Sequence, residues 1–407
     1  MFDLSALRQL DWLLVVAVVL IVAVGIVVIS SAAERNEAKK QLIFAGGGVL
    51  ALLFLSCFDY QWFRRASPWL YLAVLGALVL VLLIGTGPRY AKRWFRLPMG
   101  FMLQPSEFMK VACIFLVAYV LDRYRDNRAN VLYTLVPLGL FLLPMALIVK
   151  QPDLGTAVAM LPAVFALLLA ARARARNVLL VVLAGLLALP VLWFKMQPYQ
   201  KKRVLEFLTV PQRRVAVGLM PRGEREKVRM RLAAELDPSG ERSLDELLET
   251  MRGGWNSEQS KIAVGSGGLY GRGYGKGPQV QLDFLFAPET DFIFPTLGEE
   301  WGFFGCLVVL ALYFLLLERG LRIASQAVDT FGRLVAVGIV VLLASHILIN
   351  VSMAIGLLPI TGLPLPLLSY GGSSLLMTMG SVGILQSIHT RRHYFKSGKY
   401  SLGVQGG

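Results

Sequence analysis

Few ionisable residues of this chain lie among its apolar stretches, and those few are the candidates for chemistry, because a charge at membrane depth is costly unless paired or hydrated. Glu107 and Lys110 stand at i and i+3 where one apolar stretch begins, a spacing that lets the two side chains meet on one helix face. Lys150 and Asp153 flank Gln151-Pro152, where the proline breaks any continuous helix. Asp291 opens a further stretch in Pro288-Glu-Thr-Asp-Phe-Ile-Phe294, with Glu299-Glu300 two turns deeper. An Asp in a first helical turn is most often a cap. Its alternative role is a catalytic one, favoured by a place at the mouth of the bundle beside loops that carry glycine and cations.

Those loops are Arg89, Lys92, Arg93 and Arg96 in one short connection, and Gly265-Ser-Gly-Gly-Leu-Tyr-Gly-Arg-Gly-Tyr-Gly-Lys-Gly277 in another. The first is either a set of solvated side chains at headgroup level or an anion site. The second is either a turn that folds back over the helices or a backbone able to offer amides, with Arg272 and Lys276, to an anion. It is not a nucleotide loop: Lys276 is followed by Gly277 rather than Ser or Thr, and position 270 is Tyr where a Walker sequence needs Gly. The dinucleotide fingerprint fails too, for want of its spacing and a preceding strand.

Other chemistries are poorly supported. The chain has no HExxH, no Cys-x-x-Cys and only three histidines, of which His389 and His393 lie in the C-terminal tail and His346 reads as a packed polar residue. Cys57, Cys113 and Cys306 are all in apolar runs, too far apart for a disulfide framework or thiol cluster. There is no Asp-x-Asp pair to clamp a nucleotide-sugar donor. Ser369-Tyr-Gly-Gly-Ser-Ser374 has hydroxyls but no base at recognisable spacing, and reads as an irregular segment, after Pro359, Pro364 and Pro366, that enters a helix through hydroxyl capping.

The elements that position these residues follow from composition. Of 407 residues 56% are hydrophobic and 16% charged, and the net charge is +15. A soluble domain carries about a quarter charged residues, so membrane lipid, not nucleic acid, is the expected surrounding. A helix needs about 20 mainly apolar residues to cross a bilayer. Ten such spans are predicted, at 12–31, 41–57, 69–85, 108–121, 131–149, 154–171, 178–195, 292–317, 334–357 and 371–389. The fourth is short, and Met99 to Gln104 before it reads as a re-entrant or interfacial piece. The first resembles a signal peptide but is expected to stay as an anchor. An all-α polytopic membrane bundle is the expected fold, one transmembrane domain over 1–407. Its one large extracytoplasmic loop, 196–290, contains a charge-dense insert at 211–253 that is either amphipathic helix or solvated chain. Short-loop Arg and Lys place both termini in the cytoplasm. The cations from Arg89 to Arg96 then fall on the outer side, against that rule.

Gln104-Pro-Ser-Glu-Phe-Met-Lys110, Lys150-Gln-Pro-Asp-Leu-Gly-Thr156, Gln259-Ser-Lys-Ile-Ala-Val-Gly-Ser-Gly-Gly268, Thr290-Asp-Phe-Ile-Phe294 with Gly298-Glu-Glu-Trp-Gly-Phe303, and Ser369-Tyr-Gly-Gly-Ser-Ser374 together resemble the signatures of the SEDS family, in order and over nearly the whole chain. Gly356-Leu-Leu-Pro-Ile-Thr-Gly-Leu-Pro-Leu-Pro366 looks more like the elongation (RodA) branch than the division (FtsW) branch. The resemblance implies a ten-span peptidoglycan glycosyltransferase of the bacterial inner membrane with an outward-facing site. Such an enzyme polymerises lipid II onto a growing glycan strand with a class B penicillin-binding protein and elongation-complex membrane proteins as partners. Asp291 matches the family's essential aspartate and is the implied general base. Arg89, Lys92, Arg93 and Arg96, with Lys110 or Arg272, are candidates to hold the leaving pyrophosphate. Trp94, Gln104, Glu107 and Lys110 match cavity-lining positions, and Asp153, Lys261, Lys276, Ser369 and Ser373 complete the candidate substrate contacts. No cofactor is certain; a divalent cation, Mg2+ or Mn2+, is conceivable at Glu289 and Asp291. Glu289 departs from the family, in which His commonly precedes the Thr-Asp pair, and a second carboxylate there is expected to raise the pKa of Asp291 or help hold the metal. A lipid II flippase or a noncatalytic scaffold for the penicillin-binding protein are the alternative functions.

Overall fold

The computed structural model describes residues 3–33, 35–87, 92–96, 102–195, 201, 256–282, 284–285 and 287–396. A 3-10 helix over Leu4–Gln9 leads into α1 (Trp12–Ala32), α2 (Arg35–Cys57) and α3 (Gln61–Ile84). A two-stranded antiparallel hairpin follows, β1 (Phe95–Arg96) against β2 (Met102–Leu103), with Phe95 opposite Leu103 and Arg96 opposite Met102. Next come α4 (Pro105–Arg123), α5 (Leu132–Lys150), α6 (Leu154–Ala170) and α7 (Ala175–Lys195). After a helix over 256–266, here α8, a single turn at Pro278–Gln281 leads to α9 (Ile293–Gln326), α10 (Thr330–Ala354) and α11 (Gly372–Lys396).

Each predicted span falls on a helix. Among the described residues six helices, α1, α2, α3, α5, α9 and α10, are long and apolar enough to cross a membrane. Large apolar side chains stay open around the bundle, Leu50, Leu83, Leu187 and Phe314 among them, which a lipid-solvated protein tolerates and a water-solvated one does not. The chain is a multi-pass membrane protein. α4 and α11 are polar for a different reason: they are wrapped by protein. α4 buries Ser106, Glu107, Lys110 and Asp122, and α11 is buried without a break from Thr378 to Arg391. Close approach between α2 and α11 rests on Gly48 and Gly383, where a Cβ would stand 2.3 Å from Met379 Sδ and 2.7 Å from Leu52 O respectively.

Local signals set the helix ends. Asp11 caps α1 by accepting from Leu14 N, Asp153 caps α6 through Thr156 N, and Asp329 caps α10 through Gly332 N. Pro105 occupies the first turn of α4, where a missing N–H costs nothing, so that helix starts three residues before the predicted 108. The described part of the expected re-entrant piece, Met102 and Leu103, is the second hairpin strand; 99–101 lie outside the described residues, as does the insert 211–253. Pro68, Pro137, Pro144 and Pro162 sit inside helices; the carbonyl freed by Pro144, Leu140 O, accepts from Tyr71 Oη of α3 at 2.9 Å, and that freed by Pro68, Arg64 O, accepts from Ser67 Oγ.

Candidate functional site

The end of the bundle opposite the chain termini gathers most of the candidate residues. β2 is clasped to α11 by Ser373, whose Oγ donates to Met102 O at 2.9 Å and accepts from Gln104 N at 3.1 Å. Gln104 Nε2 donates to Asp153 Oδ2 at 3.2 Å, while Asp153 Oδ1 caps α6, so one buried carboxylate fixes both a helix start and the Gln104 amide. Arg93 reaches the same α5–α6 turn: its Nε donates to Gln151 O at 2.6 Å and its Nη2 to Pro152 O, with the guanidinium 5.9 Å from the Trp94 ring centroid. Arg93 is thus a strut that holds the hairpin on α5 and α6, rather than a guanidinium wholly free for an anion. Lys92 Nζ likewise donates to Leu83 O. Arg96 is exposed on β1; Arg89 lies outside the described residues.

Deeper in the bundle, Lys110 Nζ lies 2.9 Å from Glu107 Oε1 and 3.0 Å from His346 Nε2, all three side chains buried. The expected i,i+3 pair therefore has a third member from α10. His346 Nδ1 faces Leu342 O at 2.9 Å. A carbonyl only accepts, which assigns the ring proton to Nδ1 and leaves Nε2 to accept from the ammonium.

Asp291 ends a turn just before α9 and is half-buried. The backbone around it is held on three sides. Asn350 Nδ2 donates to Asp291 O at 3.1 Å and to Leu363 O at 2.6 Å, Ser369 Oγ donates to Thr290 O at 2.7 Å, and Tyr370 N donates to Glu289 O at 2.8 Å. Asp291 Oδ2 lies 3.4 Å from where a Cβ on Gly362 would stand, and Gly362 has φ +73, a conformation glycine adopts without strain, so the Gly362 turn runs alongside the carboxylate. Ser369 is therefore a fastener of the Asp291 turn. Beside it, burial first and the nearby Glu37 carboxylate second push the Glu289 carboxyl above its usual range, offset in part by a backbone hydrogen bond. Tyr370 is raised by burial, Glu37 and Glu289 in that order. Among the described residues no group of three or more His, Cys, Asp and Glu is placed to hold a metal ion.

The glycine-rich segment resolves in favour of the turn. α9 is broken at Gly302, with φ +68. Arg272 N and Gly273 N donate to Glu299 O and Glu300 O at 3.0 Å each, while Phe303 N and Phe304 N donate to Gly268 O and Leu269 O at 2.9 and 3.1 Å. The loop caps both halves of the broken helix. Gly275 N and Gln279 N further donate to the carboxylates of Glu300 and Glu299. A Cβ at Gly267 would lie 1.9 Å from Gly298 O and one at Gly271 2.0 Å from Glu300 O, which is why the segment is glycine-rich. These amides face the helix, not an external anion. Arg272 and Lys276 stay exposed at this end, and so does Lys261 on α8, beside Gly356.

Sequence reasoning did not find the partnership of His346 with Lys110, the clamp by Asn350, or the approach of Glu37 to Glu289. His346 and Asn350 are at i and i+4 within one apolar helix, a polar stripe at membrane depth that was the available signal.

Comparison with known proteins follows the same lines. A model of the FtsW/RodA/SpoVE cell cycle protein family matches residues 6–214 and 240–394. The chain is 37% identical over 349 residues to the peptidoglycan glycosyltransferase MrdB of Escherichia coli strain K12, covering 85% of this chain and 83% of that protein. It is 37% identical over 347 residues to a probable peptidoglycan glycosyltransferase FtsW of Trichlorobacter lovleyi, covering 84% and 80%. Its fold matches a chain from a solved peptidoglycan synthase complex that coordinates polymerization and crosslinking, with a TM-score of 0.74, 29% identity, and coverage of 94% of this chain and 98% of that one.

Proposed function

This chain belongs to the FtsW/RodA/SpoVE family, and from that premise we propose that it is a peptidoglycan glycosyltransferase that polymerises lipid II at the end of the bundle carrying Asp291. The observation that carries the reading is the half-buried Asp291 on a turn clamped by Asn350, Ser369 and Tyr370, with the Gly362 turn alongside its carboxylate.

In the proposed step the 4-hydroxyl oxygen of the acceptor sugar attacks the anomeric carbon of the growing strand, and the bond from that carbon to undecaprenyl pyrophosphate breaks. Asp291 takes the hydroxyl proton. One displacement converts an α-linked donor into a β-1,4 link. A carboxylate acts as base here by position, within hydrogen-bond reach of the hydroxyl, more than by basicity. The leaving pyrophosphate takes up two bond electrons, and positive side chains near it lower that cost. Arg96, Lys261, Arg272 and Lys276, exposed at this end, supply the charge, with Arg89 a further candidate. Gln104, Asp153, Ser373, Arg93 and Trp94 hold the hairpin and the α5–α6 turn in register. Glu107, Lys110 and His346 form a neutralised cluster that keeps α4 and α10 in fixed relation. A divalent cation carried in on the pyrophosphate would be met by Glu289 and Asp291, with Glu37 near Glu289, and would neutralise charge on the leaving group.

The partner follows from the same reading: a class B penicillin-binding protein that crosslinks the strand as it emerges, in rod elongation. Orientation completes it, with both termini in the cytoplasm and the Asp291 end facing the cell wall.

The test is lipid II polymerisation by purified wild type and Asp291→Asn, each with and without the partner. The variant is expected to lose activity by about 10²–10⁴-fold, the usual worth of a general base, while staying folded. Asp291→Asn that retains near wild-type polymerisation would refute the assignment, and a wild type with none would favour the transport or scaffold readings.

A further inference from the structure

At the opposite end of the bundle, between the first turn of α3 and the last turns of α4, a cavity of about 440 Å³ is lined by Gln61, Arg64, Arg65 and Tyr119. None of these residues takes part in the proposed reaction. The volume falls in the range of about 300–1,000 Å³ typical of small-molecule sites. The lining is suited to a small anion with polar oxygens: two guanidiniums, an amide and a phenol. Arg64 is braced from behind, its Nη2 2.7 Å from Oδ2 of the buried Asp122, yet 42% of its side chain stays open. Arg65 beside it is exposed.

Charge and depth narrow the ligand. Arg64, Arg65 and the more distant Arg125 against the carboxylates of Asp122 and Asp329 leave the lining positive on balance, the complement of a singly charged phosphodiester. Trp62, adjacent to Gln61, is 40% exposed, and Tyr124, just beyond α4, is 55% exposed. Amphipathic aromatics of this kind settle at the membrane–water interface, so the cavity lies at headgroup level. Basic pockets between membrane helices at that level suit anionic lipids.

We propose that this cavity binds the phosphodiester headgroup of an anionic phospholipid, with Arg64 and Arg65 on the phosphate and Gln61 and Tyr119 hydrogen-bonding its oxygens. The chemistry is shared with free phosphate, and the experiment separates the two. The full chain in detergent is titrated with short-chain phosphatidylglycerol, short-chain phosphatidylcholine or inorganic phosphate while the thermal unfolding midpoint is read. Phosphatidylglycerol raises the midpoint saturably; phosphatidylcholine and phosphate at equal concentration do not. Arg65→Gln shifts the phosphatidylglycerol titration to about fivefold higher concentration, the worth of one basic side chain against an anionic headgroup. Tyr119→Phe shifts it less, and neither changes the lipid-free midpoint. Equal stabilisation by inorganic phosphate would overturn the lipid assignment, and titrations that coincide for wild type and both variants would overturn the site.

Discussion

The two ends of this bundle are fastened by different chemistry. At the end carrying the termini, side-chain charges are paired with side-chain charges. Asp11 Oδ2 accepts from Arg319 Nη2 at 2.5 Å, Arg64 meets Asp122, and Arg391 lies 3.6 Å from Asp59 while also donating to Cys57 O. Burial pushes the Tyr60 phenol well above the usual range, and the Asp329 carboxylate to which it donates adds to the rise. At the Asp291 end, the fasteners are backbone groups: Arg93 on two carbonyls, Asn350 on two more, and a glycine-rich loop on a broken helix. The difference teaches which end is spent on holding and which is left for chemistry. Arg319 and Arg391 are spent on buried or half-buried carboxylates, whereas Arg96, Lys261, Arg272 and Lys276 remain exposed at the other end.

Substitutions can break that contrast, beginning with the largest effect. Asp291→Asn separates the ends most sharply, with polymerisation lost by about 10²–10⁴-fold and the unfolding midpoint unmoved. Arg319→Ala does the reverse. It strands the buried Asp11 carboxylate at a cost of about 3 kcal/mol, read as a lower unfolding midpoint, while activity per folded molecule persists. Gly302→Ala forces a left-handed φ on a residue whose Cβ would lie 2.3 Å from Gly271 N, costing about 2 kcal/mol and exposing the 265–277 loop to proteolysis.

Smaller effects sharpen the comparison within the Asp291 end. Arg96→Gln is expected to weaken lipid II use a few-fold in KM without touching stability. Arg93→Gln lowers stability by about 1 kcal/mol as well, because two carbonyl contacts go with it. Equal behaviour of the two variants would show that Arg93 is no strut. The smallest effect concerns pH. Glu289 has a raised folded-state pKa, so its contribution to stability is fully present below its unfolded value near 4.5 and is lost as pH rises through the folded value. Glu289→Gln should flatten the midpoint-against-pH curve above that point, and an unchanged slope would count against burial as the cause.

Much of the fold was legible because lipid imposes a simple rule: a long apolar run must close its own hydrogen bonds and so becomes a helix. The ends were legible where a single residue decides them, as Asp153 and Asp329 do. The boundaries that moved did so for local reasons, as with the Pro105 start of α4. Within the site, Glu107 and Lys110 were readable from spacing alone, since i and i+3 meet on any helix. Asp291 stood out by place and by family likeness, while its clamp did not.

What the sequence by itself determined is therefore local and periodic: the apolar spans, their caps, the family signatures and the Glu107–Lys110 pair within α4. Only the tertiary structure decided which cations are spent and which are open, and whether the glycines between 265 and 277 face an anion or a helix. It also decided that His346, 236 residues from Lys110, completes the buried cluster. The physical reason is that hydrogen-bond capacity is finite. Residue type fixes what Arg93 or a loop amide can donate, but only the packed chain brings up the carbonyl that takes it.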